Sequence, residues 1–443
     1  MSTARVLAIK ILARVRATDA YLNVVLDTFL SEQPLKDPRD AGLVTELVYG
    51  ATRRQLALDY AILRFSDRKL DTMEDRVLAA LRVGAYQLYY MRVPGRAAVA
   101  ETVQALKEIG LSRASGFVNA ILRKLAALPA QPLPPETELV EHLSIRESHP
   151  AWLVERWLRH YGPERARSIL AANNVSPPVV VRANSAKVTR DALLAQLREA
   201  GLDAHATPLS PAGIVLPSVG KLEDVYGYAE GLWQVQDEAA QLVGVYAAIP
   251  GSARVLDTCA APGGKACHEA ETHEVVATDL HAHKLRKIEA ESKRLGLGAR
   301  LRTLAHDATE PFSEAEAASL GEFHAVVVDA PCSGLGTLRR HPELRYRRLP
   351  QDIARISMLQ RRILENCQEQ VPPGGLLIYA VCTTEPEEGP DQVEMFLRSH
   401  PEWTAEPPQL PGLELPLSQG YLRTLPGPEG MDGFFAARLR KLY

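Results

Sequence analysis

From about residue 230 the chain alternates β-branched runs with amphipathic helical stretches, and that alternation restricts its fold more than any other feature. The runs Arg254–Thr258, Glu274–Asp279, Ala299–Leu304, Ala325–Asp329, Leu376–Ala380 and Phe434–Leu439 read as strands. Lys265–Glu271, His283–Leu295, Asp352–Gln370 and Gln392–Ser399 read as helices. Strand–helix alternation predicts a parallel sheet with helices on both faces, a doubly wound α/β fold of the Rossmann-like kind. Such folds bind ligands beyond the carboxyl ends of their strands, so the candidate site lies there.

The rest of the chain has a different texture. Apolar residues recur at helical spacing in Leu43–Leu47, Leu56–Leu63, Val77–Leu88, Val99–Leu106 and Phe117–Leu125, with no alternating segment that predicts a strand. The Arg-bearing opening resembles a transit peptide superficially. However, Val6, Ile9, Leu12 and Val15 keep helical spacing and lead into Leu22–Leu30, so it reads as a first core helix. The proline-rich stretch Leu128–Pro135 marks a linker. Beyond it, two helical stretches precede Val179–Arg182, Arg190–Ala200 and Gly213–Leu216, a strand–helix–strand pattern that suggests a small α+β, ferredoxin-like module. The expected organisation is an all-α domain over 1–130, a linker over 131–148, the α+β module over 149–229 and the α/β domain over 230–443.

Five cysteines without close pairs make no disulfide framework, which points to a reducing, cytoplasmic setting. There is no CxxC, and no metal site is expected. No apolar run approaches the roughly 18 residues of a membrane span. Net charge is −3 overall, yet residues 1–125 carry 19 Lys and Arg against 13 Asp and Glu, so a basic module precedes an acidic remainder.

The first strand runs into Cys259, Ala260, Ala261, Pro262, Gly263, Gly264 and Lys265. Glycines between a strand and a helix let backbone approach a ligand, although a plain tight turn would use them too. The P-loop pattern fails, with Cys259 in place of its first glycine and Ala266 in place of its Ser or Thr, and GxGxxG is absent. Asp279 ends the second strand where an acid binds ribose hydroxyls, Asp307 follows the third and Asp329 ends the fourth. Each could instead be a helix N-cap. Three acids and one lysine suit an adenosine without phosphates and a cationic centre, as in S-adenosylmethionine.

Cys332 and Cys382 each follow a strand end, whereas Cys267 and Cys367 lie within helices and read as packing. Carbon 5 of cytosine is a poor nucleophile. A thiolate adding to carbon 6 makes an enamine that can attack a sulfonium methyl, and a second group is then needed for release. Residues 338–362 add Arg339, Arg340, Arg345, Arg347, Arg348, Arg355, Arg361 and Arg362 with Tyr346, which suits a path for an RNA strand, or else a solvated helix face.

Together, CAAPGGK (259–265), DAPCSGLG (329–336), YAVCTTEPEEG (379–389) and MDGFFAARL (431–439) resemble the RNA cytosine-5 methyltransferases of the Sun/NOL family. GLWQVQDEAAQLV (231–243) and HPAWLVERW (149–157) fit as well. Asn23, Glu46–Gly50, Arg53, Arg82–Gly84, Glu101 and Phe117–Arg123 resemble the all-helical RNA-binding domain of the NusB family, a combination typical of the bacterial Sun (RsmB) branch. The resemblance implies an S-adenosylmethionine-dependent enzyme acting on small-subunit (16S) ribosomal RNA, at cytosine 967 in standard bacterial numbering, as a monomer. It implies Cys382 as nucleophile, Cys332 as the residue assisting product release, and Cys259–Lys265, Asp279, Asp307 and Asp329 as cofactor residues. A non-catalytic ribosomal RNA-binding or assembly factor retaining the fold is the alternative. Val381 and Gly389 depart from the family's usual Thr and Asn.

Overall fold

The computed structural model describes residues 2–18, 20–35, 37–217, 219–427 and 430–443. The chain forms two compact units, Met1–Ser176 with Leu338–Arg347, and Pro177–Thr337 with Arg348–Tyr443.

The first unit is helical. Helices α1 (Ser2–Ala17), α2 (Leu22–Glu32), α3 (Pro38–Arg53), α4 (Gln55–Leu63), α5 (Asp75–Tyr90), α6 (Gly95–Glu108) and α7 (Ser115–Ala126) share one apolar core. α5 is its axis, burying Val77, Leu78, Leu81, Val83 and Ala85 against α1, α3, α4, α6 and α7. Several residues that carry the NusB resemblance work inside this bundle. The Tyr86 hydroxyl donates to Glu46, and Arg82 forks onto Asp59 at 2.8 and 2.7 Å.

Two further helices, α8 (Leu139–Arg146) and α9 (Ala151–Ala172), belong to the same unit, with α9 kinked at Gly162-Pro163. The stretch 131–148, read as linker, therefore contains a helix. α8 buries His142, Leu143 and Ser144, a face too short to show as periodicity beside so many prolines.

The segment Leu338–Arg347 corrects the reading of an arginine-rich RNA path. Arg345 is fully buried and donates to the carbonyls of Arg53, Ser148, Asn173 and Leu338 and to Asn174 Oδ1, at 3.0–3.4 Å. Tyr346 donates its hydroxyl to the Thr52 and Ser148 carbonyls at 3.0 Å. Arg347 reaches the carbonyls of Val15, Thr18 and Ala20. Arg339 is 2% exposed, and its carbonyl accepts from Arg53. Helix C-termini leave carbonyls unsatisfied and carry partial negative charge. Here the ends of α1, α3 and α9 are closed by arginines from a distant part of the chain. Only Arg355, Arg361 and Arg362 keep an exposed position among the remaining arginines of the stretch that lie on its long helix.

His149, also fully buried, sits beside this knot. Its Nδ1–H donates to the Glu147 carbonyl at 2.6 Å and its Nε2 accepts from Asn173 at 3.3 Å, so the neutral ring satisfies both contacts. Burial, and then the Arg345 guanidinium, hold its pKa well below the ordinary value. The folded state thus binds fewer protons than the unfolded one below about pH 6.5, and stability should fall with pH there by up to about 1.4 kcal/mol per unit. Urea unfolding at pH near 7.5 and near 5.5 should show a steeper loss for wild type than for His149→Gln. Parallel losses would show that His149 is not the group responsible.

The second unit opens with an antiparallel four-stranded sheet, β1 (Val179–Ala183), β2 (His205–Ala206), β3 (Gly213–Leu216) and β4 (Trp233–Val235), in the order β2-β3-β1-β4 with helix α10 (Arg190–Glu199). This is the ferredoxin-like module. α11 (Glu238–Ala247) follows, unread from the sequence.

The large sheet contains β5 (Arg254–Thr258), β6 (Glu274–Asp279), β7 (Leu301–Ala305), β8 (Ala325–Asp329), β9 (Leu376–Val381), β10 (Trp403–Ala405), β11 (Leu417–Ser418), β12 (Tyr421–Arg423) and β13 (Phe435–Lys441). Its order is β11-β12-β13-β9-β8-β5-β6-β7, with β10 also pairing β13. β9, β8, β5, β6 and β7 are parallel, but β13 runs antiparallel to β9, from Phe435 opposite Val381 to Arg440 opposite Leu376. The sheet is therefore mixed. Burial on both faces makes β13 read like its parallel neighbours, because hydrophobicity carries no strand direction. Between the strands lie α12 (Gly264–Glu269), α13 (Ala282–Leu295), α14 (Glu314–Leu320), the short α15 (Leu344–Arg347) of the first unit, α16 (Pro350–Cys367) and α17 (Pro390–Ser399). The chain order reverses between β5 and β8, which places a crevice at their carboxyl ends. Among the described residues no helix is long and apolar enough to cross a membrane.

Candidate active site

The turn after β5 is shaped by its backbone. Cys259 takes a left-handed φ of 58°, and Ala260 N–H donates across to the Thr278 carbonyl of β6 at 2.8 Å. Gly263 has φ 103°, and a Cβ there would lie 3.0 Å from Ile288, so only glycine fits without strain. α12 is just six residues long, so its dipole is modest. Burial pushes the Cys259 thiol well up, and it remains protonated.

The carboxylates divide by their partners. Asp279 is nearly buried and accepts from Ala261 N–H at 3.4 Å and His281 N–H at 2.9 Å, which ties the β6 end to the Cys259 turn. Asp307 lies in the turn after β7, where its Oδ1 takes both the N–H and the hydroxyl of Thr309. These bonds hold its pKa below the usual range. His306 N–H donates to the Asp279 carbonyl and keeps that turn at the β6 end. Asp329 pairs with Lys265 Nζ at 2.7 Å, and the ammonium also lies 5.2 Å from the centre of the Phe434 ring. Burial acts to lower the Lys265 pKa, but Asp329 outweighs it and the ammonium stays above its ordinary value.

Asp257 escaped the sequence reading as a site residue. It is 0% exposed and neither carboxylate oxygen has a hydrogen-bond partner. Burial, followed by repulsion from Asp329, pushes its pKa well up. Asp257 therefore holds its proton behind the Lys265–Asp329 pair and adds no charge to the crevice.

The two cysteines meet. β8 and β9 are adjacent, with Asp329 opposite Ala380, so the loops that follow them open side by side. Cys332 Sγ lies 3.2 Å from Cys382 Sγ. The hydrogen bond to Cys382 and burial push the Cys332 thiol well up, and at this separation either sulfur can donate to the other. Gly336 N–H donates to the Cys382 carbonyl at 3.1 Å, and Gly433 N–H donates to the Gly336 carbonyl at 2.8 Å. A Cβ on Gly336 would sit 1.9 Å from the Gly433 carbonyl oxygen, so the three loops can close only on glycine. Cys267 and Cys367 are buried in packing, as read. Val381 packs in the apolar cluster of Tyr379 and Phe435, and Gly389 lies close under the Phe435 ring.

The profile described as 16S rRNA methyltransferase RsmB/F matches residues 248–440, the RsmF/B-like ferredoxin-like domain matches 149–223 and the NusB family matches 2–127. Ribosomal RNA small subunit methyltransferase B of Pseudomonas putida is 36% identical, over 99% of this chain and 98% of that one. The probable enzyme of the same name from Bacillus subtilis is 33% identical, over 99% of each. The chain belongs to the ribosomal RNA small subunit methyltransferase B family. The fold agrees: the crystal structure of PH0851 superposes with a TM-score of 0.84 at 22% identity, covering 100% of this chain and 99% of that one. A methyltransferase homolog from Pyrococcus horikoshii gives 0.57 at 26% identity, over 70% of this chain and 100% of its own.

As a member of this family the protein is an S-adenosylmethionine-dependent methyltransferase. The crevice fits that cofactor. With Lys265 already paired to Asp329, the Asp279 carboxylate is left without a cation in the crevice, which suits a ligand that is cationic and lacks phosphates. Among the described residues no group of three or more His, Cys, Asp and Glu could hold a metal ion.

Proposed function

We propose that the protein methylates carbon 5 of a cytosine in 16S ribosomal RNA through a covalent bond between Cys382 and carbon 6 of the base. The observation that carries this reading is the contact of the Cys332 and Cys382 sulfurs at 3.2 Å beside the Lys265–Asp329 pair. The ribosomal RNA substrate is supported by the names of the relatives, and cytosine 967 is the target we assign within it. We take the enzyme to act as a monomer in the cytoplasm.

Adding the Cys382 sulfur to carbon 6 breaks the ring's aromaticity and makes carbon 5 nucleophilic. Bound S-adenosylmethionine supplies the methyl group as an electrophile. After methylation the carbon 5 hydrogen leaves as a proton and the bond from sulfur to carbon 6 breaks. Cys332 lies within hydrogen-bond reach of the Cys382 sulfur, so its S–H can donate to the departing thiolate and stabilise it. The turn Cys259–Lys265 and the carboxylates Asp279 and Asp307 hold the adenosine and amino acid parts of the cofactor, with Asp279 on the ribose hydroxyls. Asp329 orients Lys265 through their ion pair. The exposed Arg355, Arg361 and Arg362 offer charge to an RNA backbone.

Transfer of label from methyl-labelled S-adenosylmethionine to 16S ribosomal RNA, followed by bisulfite sequencing, tests the reading. Label at a position other than carbon 5 of cytosine would overturn it, and absence of transfer would favour an assembly factor. The cofactor assignment has its own test. Charge-assisted bonds are roughly twice as strong as neutral ones. Asp279→Ala should therefore weaken S-adenosylmethionine at least about tenfold by calorimetry while RNA affinity stays constant. Unchanged cofactor affinity would remove Asp279 from the site.

A further inference from the structure

The loops that carry the two cysteines share a buried anion that the chemistry above does not use. Glu388 follows Cys382 by six residues, at the end of the short turn Pro386–Glu388, and is 0% exposed. Its Oε1 accepts from Ser333 N–H at 2.7 Å and from Gln360 Nε2 at 3.3 Å. Its Oε2 accepts from the Ser333 hydroxyl and from the Thr383 hydroxyl, the latter at 3.0 Å. Ser333 is the residue after Cys332, and Thr383 is the residue after Cys382. One carboxylate thus grips both cysteine loops at the positions adjoining the sulfurs.

The surroundings fix the grip. The Tyr379 hydroxyl donates to the Glu388 carbonyl at 2.6 Å and sets its backbone. Gln360 on α16 also donates to the Pro331 carbonyl at 3.0 Å, and Arg348 donates to the Ser333 carbonyl at 2.9 Å. Four donors converge on Glu388, and a carboxylate, being acceptor-only with about four lone-pair positions, matches them. Burial raises the Glu388 pKa, and the Ser333 and Thr383 bonds work against that rise. A glutamine would turn an NH₂ group toward donors and leave at least one of them unsatisfied.

We infer that Glu388 is the positioning residue of the cysteine pair: by bonding Ser333 and Thr383 together it sets the distance between the Cys332 and Cys382 sulfurs. The catalytic consequence rests on the function proposed above, but the geometric one does not. If Cys332 steadies the departing sulfur only from this distance, loosening the clamp slows release more than it slows attack.

Two measurements on the full-length Glu388→Gln protein separate these levels. The first is oxidation by oxidised glutathione. Two thiols lose two protons and two electrons to form the Cys332–Cys382 disulfide, while one oxidised glutathione becomes two thiols. Peptide mapping then follows that disulfide alone. Wild type should form it readily, and Glu388→Gln about tenfold more slowly or worse. The second is turnover on 16S ribosomal RNA. The variant should lose about tenfold or more in kcat, with KM for S-adenosylmethionine falling alongside so that kcat/KM changes less, and accumulate the protein–RNA adduct on denaturing gels. Ser333→Ala and Thr383→Val each remove one donor and should shift both readouts the same way by less, so the test survives if Glu388→Gln folds poorly. Oxidation at the wild-type rate in all three variants would overturn the inference. Slowed oxidation, with no adduct from wild type even on RNA carrying 5-fluorocytosine, would sustain the clamp and count against the covalent mechanism instead.

Discussion

Replacing Cys382 with alanine is expected to remove turnover and covalent adduct together, a loss of at least about 10⁴-fold in kcat. Replacing Cys332 is expected to do something different. Cys332→Ala keeps the attacking sulfur but loses the thiol that lies 3.2 Å from it, so it should attack, methylate and stall with RNA attached. Denaturing gels should show a slow-migrating protein–RNA species for Cys332→Ala and none for Cys382→Ala. The double variant should match Cys382→Ala, since residues acting in sequence are not additive and losing the first hides the second. A band from Cys382→Ala alone would reverse the two roles. RNA carrying 5-fluorocytosine, whose fluorine cannot leave as a proton does, should trap wild type as well. If no variant and no trap gives a band while wild type stays active, sulfur addition at carbon 6 is the wrong chemistry.

The second large effect is on stability and involves no catalytic group. Arg345→Ala is expected to destabilise the first unit by at least about 3 kcal/mol. The guanidinium serves four carbonyls and one amide oxygen, and truncation removes its donors from all five, although the Tyr346 hydroxyl still reaches the Ser148 carbonyl. Burial lowers the Arg345 pKa to about 10, so it stays charged at neutral pH and offsets the partial negative charge of the helix ends it closes. Arg345→Lys keeps the charge but not the planar fork, and should recover only part of the loss. Thermal and urea unfolding would check this. An unchanged midpoint for Arg345→Ala would mean that water or relaxation satisfies those carbonyls, and the knot would then not hold the unit together.

Much of this fold was legible because its signals are local. β5, β6, β8 and β9 were found within a residue of their ends, since β-branched runs bounded by Asp and Gly admit little else. Cys332, Cys382, Asp279 and Asp329 stood out for the same reason, sitting where strands stop. What could not be read depends on contacts between distant residues. Nothing in Glu387-Glu388 says which of the two turns inward, because only the Tyr379 bond and the loop of Ser333 decide it. Arg345 and Tyr346 look like RNA contacts until the helix ends that need their donors are known. Asp257 lies inside an ordinary strand, and its unpartnered oxygens are a fact of burial alone. Strands of two or three residues such as β10 to β12 are too short for any pattern.

The knot around Arg345 also governs when the protein can finish folding as it is made. The first unit needs residues Leu338–Arg347, yet the rest of it ends at Ser176. At about 5–20 residues per second, some 170 further residues keep the newborn helical bundle waiting for about 10–30 s. Throughout that interval the ends of α1, α3 and α9 are open to water or to whatever meets the emerging chain. The helices that leave the ribosome first are among the last to be sealed.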